Sequence, residues 1–153
     1  MANATCKVLI VEDDLDDVVL LRRALKTAST ALGVSFEIVH VRNGLDALAS
    51  VARGDLLLKL PSVIVVDLNM PIMSGEAFLS LLRGELLLRA LPTVVLTTAT
   101  EKPIHDAAMM AGADHVFVKP NTLSELVIVA RTILEMGRSP PRGAMQPNAV
   151  AAR

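Results

Sequence analysis

The groups able to do chemistry stand at the ends of apolar runs. Val8-Leu9-Ile10-Val11 ends in Glu12-Asp13-Asp14, and Val63-Ile64-Val65-Val66 ends in Asp67. Thr93-Val94-Val95-Leu96 ends in Thr97-Thr98, and His115-Val116-Phe117-Val118 ends in Lys119. Carboxylates gathered in one place repel one another unless a cation joins them. An oxygen-only donor set suits magnesium, which takes one or two carboxylates and keeps several waters. A lysine beside them is a point charge suited to phosphate. A threonine hydroxyl can donate to a phosphoryl oxygen. Asp67 is the obvious nucleophile, since carboxylates form acyl-phosphates. Taken singly, each residue has a plainer explanation. A strand-ending aspartate caps a turn, threonines are β-formers, and a lysine at a strand end is often only solvated. The chemistry depends on what brings these groups together.

The elements that would do so can be read in order. Continuous apolar runs of four suit strands buried on both faces of a parallel sheet. Asp14 is placed to cap a helix in which Val18, Leu21, Leu25 and Ala28 repeat at three and four, ended by Gly33. Ser35 to Val41 alternates as a second strand. Asn43-Gly44 is a turn signal before a short helix from Leu45 to Ala52, with a stop near Gly54. Ser74-Gly75-Glu76 opens a helix to about Arg83, and Glu101 to Ala111 reads as another, with Pro103 in its first turn. Thr122-Leu123-Ser124-Glu125 has capping-box spacing and opens a last helix to about Gly137. Five strand-then-helix repeats imply a doubly wound α/β sheet, parallel, with helices on both faces. All the groups above would then share one sheet edge, where ligands bind in such folds.

Composition narrows the function classes. The chain has 153 residues, enough for one domain that folds without a metal or disulfide. Its hydrophobic fraction is 52% with only 2% aromatic, so the core is aliphatic. A net charge of -1 argues against a nucleic-acid binder. Cys6 is the sole cysteine, which excludes a disulfide framework and a cysteine zinc site. His40, His105 and His115 lack metal-site spacing. There is no signal pattern at the start and no apolar run long enough for a membrane span, so the chain reads as cytoplasmic. Residues 1–137 read as the domain, and residues 138–153, rich in Pro and Gly, as a tail that is flexible or forms a dimer arm.

The motif set resembles the receiver domain of two-component response regulators, the CheY-like family. The acid pair, Asp67-Leu68-Asn69-Met70-Pro71, Thr97 and Lys119-Pro120 stand in the family's order, with Thr97 and Lys119 placed 30 and 52 residues after Asp67. The resemblance covers about Lys7 to Gly137. It implies a five-stranded sheet of flavodoxin-like order 2-1-3-4-5. It implies that Asp67 accepts a phosphoryl group from a phosphohistidine of a sensor histidine kinase, with Mg2+ as cofactor. Asp13 would bind the metal directly, Glu12 through water, and Asn69 through its backbone carbonyl. Thr97 would contact the phosphoryl group, Lys119 would neutralise it, and Pro120 would follow a cis peptide bond. The output would be a protein contact or phosphotransfer rather than enzymatic turnover. The acid-rich start is most like regulators paired with bacterial phytochrome kinases.

Several features fall outside that pattern. Receivers often carry an aromatic three residues before the lysine; here that position is Val116, and the aromatic is Phe117 on the opposite face of the strand. A haloacid-dehalogenase-like phosphatase would need an acid where Asn69 stands, and a dinucleotide binder would need glycines where Glu12-Asp13-Asp14 stands. An interaction module that keeps the fold without phosphorylation is the remaining alternative. The last helix is also rich in apolar residues. With a core stripe of Leu123, Leu126, Val127, Ala130, Ile133 and Leu134, a second strip of Ile128, Val129, Thr132 and Met136 would face outward. Met109 lies off its own helix's core set of Ile104, Ala107, Ala108 and Ala111. These outward residues predict a homodimer built on the fourth helix, fifth strand and fifth helix.

Overall fold

The computed structural model describes residues 5–138. Its strands are β1 (Cys6–Val11), β2 (Phe36–Val41), β3 (Val63–Val66), β4 (Thr93–Thr97) and β5 (His115–Val118). Its helices are α1 (Leu15–Leu32), α2 (Gly44–Leu56), α3 (Gly75–Gly84), α4 (Lys102–Ala111) and α5 (Leu123–Arg138). All strand pairs are parallel, in the order β2-β1-β3-β4-β5. This is the doubly wound, flavodoxin-like arrangement. Among the described residues no helix is long and apolar enough to cross a membrane.

Period-two alternation divides the sheet's side chains between two cores. Val8, Ile10, Val63, Val65, Val94 and Leu96 pack with α1 and α5. Leu9, Val11, Ile64, Val66 and Val95 pack with α2, α3 and α4 around Phe78, Leu79 and Leu82. Every residue of β3 is buried, whereas the edge strand β5 is exposed or half-buried along its length. Four of the five helices, all but α4, begin at side-chain caps that relieve unpaired N–H groups. Asp14 accepts from the Asp16 and Asp17 amides, Asn43 from Asp46, and Ser74 from Ala77. Thr122 accepts from the Glu125 amide at 3.2 Å.

Helix α5 corrects the expected interface. Its buried residues are Leu126, Val129, Ala130, Ile133 and Leu134. Val129 is 7% exposed and belongs to the core, while Leu123 is 37% exposed. The cause is helical phase. Leu123 opens the helix beyond the carboxyl edge of the sheet, so the stripe starts at Leu126 and steps by three and four from there. Met136 is half-buried against the same core, and Thr132 is half-buried. Ile128 and Met109 are exposed, at 66% and 47%. In α4 only Ala108 is buried, and Ile104 and Ala107 face solvent, because this helix lies at the thin edge of the sheet beside β5.

Two smaller expectations also shift. Helix α2 runs through Gly54 to Leu56. That glycine serves a close approach: a Cβ there would meet the Lys59 carbonyl oxygen at 2.8 Å. The Lys119–Pro120 bond is trans, the intrinsically preferred form, in a segment that extends the β4–β5 ladder by one bond. The last helix is described to Arg138, in line with an end near Gly137, and the tail from residue 139 lies outside the described residues.

At the amino ends of β4 and β5 a single side chain joins the connections. The Arg83 guanidinium donates to the carbonyls of Leu88, Leu91 and Gly112 and pairs with Asp114 at 3.3 Å. Asp114 in turn accepts from the Thr93 amide at 2.9 Å. Removing one partner of such a largely buried network leaves the others unpaired. Arg83→Ala is therefore expected to destabilise the domain by about 3 kcal/mol, read as a lower denaturant midpoint at unchanged slope. A change below about 1 kcal/mol, the scale of an exposed pair, would show the network to be dispensable.

Candidate functional site

The carboxyl ends of β1, β3 and β5 meet at one edge. The Asp67 amide donates to the Val11 carbonyl at 3.1 Å, which sets Asp67 beside Glu12. The Glu12 amide is fixed on the Val41 carbonyl at 3.0 Å, and the Lys119 amide on Thr97 at 2.7 Å. Behind Asp67, the chain turns closely over Gly75. The Gly75 amide donates to the Leu68 carbonyl at 3.0 Å. A Cβ on Gly75 would run into the carbonyl oxygen of Asp67. Ladder, turn and glycine together fix the carboxylate's position.

Carboxylate oxygens of Glu12, Asp13 and Asp67 lie within 4.8 Å of one another. Asp14 is not among them, because its carboxylate is spent on the start of α1. The Lys119 ammonium sits against this group. It donates to Glu12 at 2.6 Å and to Asp67 at 3.5 Å. It also donates to Asp17 at 2.7 Å. The sequence alone does not single out Asp17 among the acids that follow β1. The available signal was its position just before buried Val18, one turn after Asp13 and Asp14, which turns it back towards the sheet edge.

Burial pushes the Glu12 carboxyl up to about 7 against the pull of the Lys119 hydrogen bond, and the Asp67 charge adds to the rise. Burial also works against the Lys119 charge, but Asp17, Glu12 and Asp67 overcome it and hold the ammonium above the ordinary lysine range. The two directions look opposed for a bonded pair. Burial is the larger influence on Glu12, and the several carboxylates that converge here both add to its rise and hold the ammonium charged. The lysine therefore stays charged, and a buried acid tends to keep a proton.

Thr97 is fully buried at the end of β4, and its hydroxyl accepts from the Ala99 amide at 3.2 Å. Thr98 lies past the strand and is exposed. The Asn69 amide approaches Asp67 at 3.5 Å. The histidines have structural partners: His40 bonds the Glu12 carbonyl and His105 the Ala99 carbonyl, each at 2.7 Å, while His115 stacks on Phe117. A hard, oxygen-only donor set open to water fits a divalent cation that retains part of its hydration.

The description of response regulator receiver domains matches residues 8–131. The chain belongs to the response regulator receiver family. It is 32% identical over 128 residues to the transcriptional regulatory protein PrrA of Mycobacterium bovis, covering 84% of this chain and 49% of that protein. The chain thus spans about half the length of the curated relatives it matches. Among solved structures, it is similar to the phosphorylated cyanobacterial phytochrome response regulator RcpA: TM-score 0.76, 28% identity, 89% of this chain and 96% of that one. It is also similar to the Mn2+-bound response regulator Rcp1: TM-score 0.69, 28% identity, 83% of this chain and 90% of that one.

As a receiver it departs from the usual aromatic arrangement. Val116 packs with the α2–α4 core and Phe117 with the α1–α5 core, so no aromatic occupies the α4 side of β5.

The raised Glu12 carboxyl has a measurable consequence for metal binding. A cation favours the ionised carboxylate, so affinity is full well above pH 7 and falls as pH drops through that value. With Mn2+ as the probe, affinity at pH 6 is expected to be about tenfold weaker than at pH 8, with about one proton released per metal at pH 6. Calorimetry in two buffers of different ionisation enthalpy counts those protons. Equal affinity at both pH values would contradict the raised carboxyl.

Proposed function

We propose that this receiver is a phospho-acceptor in a two-component phosphorelay, taking a phosphoryl group from a phosphohistidine of a sensor histidine kinase onto Asp67. The observation that supports it best is the convergence of Glu12, Asp13 and Asp67 within 4.8 Å, with the Lys119 ammonium 3.5 Å from Asp67. An Asp67 oxygen attacks phosphorus in line; the P–N bond to histidine breaks as the P–O bond forms, and the released imidazole nitrogen takes up a proton from solvent. Mg2+ is the proposed cation, and when bound it neutralises charge on the transferring group. Glu12, Asp13 and Asp67 would hold it, together with the Asn69 carbonyl. Lys119 pairs with a phosphoryl oxygen. Thr97 contributes its hydroxyl proton, which its bond from the Ala99 amide leaves unused.

Each donor in this set has one task, and an interaction module that is never phosphorylated would leave their convergence without a use. The chain acts as acceptor and signal carrier rather than as a turnover enzyme, with output by protein contact or phosphotransfer. The likeness to RcpA, named a phytochrome response regulator, supports a phytochrome-class histidine kinase as the partner. Incubation with acetyl phosphate and Mg2+, followed by intact mass measurement, is expected to add one phosphoryl group to the wild type and none to Asp67→Asn. Labelling of that variant at the wild-type rate would refute the assignment.

A second reading concerns self-association through α4, β5 and α5. It is favoured by the exposed apolar side chains of Met109, Met110, Val118 and Ile128 on those three elements. Val129 is not part of this surface. In a twofold dimer one introduced charge acts twice. Ile128→Arg is expected to give a monomer by light scattering while Asp67 still labels. A wild type that is monomeric at tens of micromolar, before and after phosphorylation, would end this reading.

A further inference from the structure

The ammonium of Lys119 is held mostly by groups other than the acceptor. Its bonds to Glu12 and Asp17 are 2.6 and 2.7 Å, while its approach to Asp67 is 3.5 Å. The first two are short, charge-assisted bonds, and the third is a marginal one. Asp17 cannot drift from this position. Asp14 fixes the start of α1, and the next residues inward, Val18 and Leu21, are locked in the core. The lysine stem has somewhere to lie in this posture. A cavity of about 50 Å³ opens beside it, bounded by Val18, Leu21, Leu96, Pro120 and Leu126 and by the carboxylates of Asp17 and Asp67.

We propose that Asp17 is a positioning residue that holds Lys119 towards α1, in competition with the phosphoryl group on Asp67. The inference rests on Asp67 being the acceptor. An ammonium has three protons and no acceptor capacity, and here they are divided among three carboxylates. A phosphoryl group on Asp67 adds charge and strong acceptors on the Asp67 side only. The lysine then swings from Asp17 towards the phosphoryl oxygens, using the space beside its stem. Asp17 therefore weakens the hold on the phosphoryl group by the strength of the bond that must be given up. The Asp17 side chain is 35% exposed, so that bond has the modest strength of a partly solvated pair, worth up to about fivefold in affinity.

Beryllium trifluoride with Mg2+, a stand-in for the phosphoryl group, separates this role from simple charge removal. Asp17→Asn is expected to bind it about three- to fivefold tighter than the wild type. Asp16→Asn removes the same charge one residue away on an exposed side chain and should change affinity less than twofold. Asp17→Glu restores the carboxylate and should return affinity towards the wild-type value. Equal tightening by Asp16→Asn, or unchanged or weaker binding by Asp17→Asn, overturns the proposal. A second readout uses the wild type alone. Nitrogen-15 spectra of the Lys119 ammonium, assigned by its loss in Lys119→Arg, should shift when beryllium trifluoride is added; a stationary signal overturns the proposal even where a variant fails to fold. If the wild type binds no beryllium trifluoride, or Asp67→Asn binds it equally well, the acceptor reading itself fails and this inference falls with it.

Discussion

The carboxyl edge of this sheet depends on one ammonium shared among three carboxylates. Lys119 bonds Glu12 and Asp17 closely and reaches Asp67 at longer range, while Asp13 stands beside them. Four acids around one base leave a surplus of negative charge in a place where burial makes charge expensive. The surplus explains why the lysine is held charged and why Glu12 tends towards its proton. It also makes the edge receptive to a second cation. The same arrangement gives the lysine alternatives, since no one carboxylate commands all its protons.

Such a cluster survives only on a frame that does not relax. Repulsion among the acids would otherwise be relieved by moving the strand ends apart. Here β3 is buried at every position, and β3 and β5 continue the ladder past their last strand residues, through the Asp67 and Lys119 amides. Gly75 lets the chain after Asp67 pack directly on that residue's carbonyl. At the other end of the sheet Arg83 gathers the carbonyls of the connections into β4 and β5. That end is stapled by hydrogen bonds, and the site end is left with charges to satisfy. In open α/β sheets ligands bind outside the carboxyl ends of the strands, and that is the end left with charges here.

Much of this was legible in the residues. Four-residue apolar runs ending in acids, hydroxyls or lysine fixed the strands and the edge they share, because a run buried on both faces has few other homes. Glu12, Asp13 and Asp67 could be grouped for the same reason. Helix phase was harder to read. Leu123 and Val129 exchanged roles because an apolar-rich helix permits several stripes, and only the sheet's end decides where the stripe begins. In α4 the alanines carried little information, since small side chains suit either face. Asp17 was hidden by its neighbours: in a run of acids, sequence shows abundance but not which carboxylate a helix turns inward. The reach of Lys119 across to α1 joins residues 102 positions apart and had no local signal at all.

The departure at Val116 bears on how a change at the site reaches the outer surface. An aromatic at that position would face the α2–α4 core; valine leaves that side with a short, branched side chain that has little rotational freedom. Phe117 lies on the other face, packed with the α1–α5 core and stacked on His115. Neither can carry a large side-chain rotation between the site and α4. The bonded connection that does exist runs through the β4–α4 loop. The Thr97 hydroxyl accepts from the Ala99 amide, and the Ala99 carbonyl accepts from His105 on the first turns of α4. Ala99 is thus held at its amide by Thr97 and at its carbonyl by His105. A displacement of Ala99 would bear on α4, which holds a single buried residue and is the helix least anchored by core packing among the described residues.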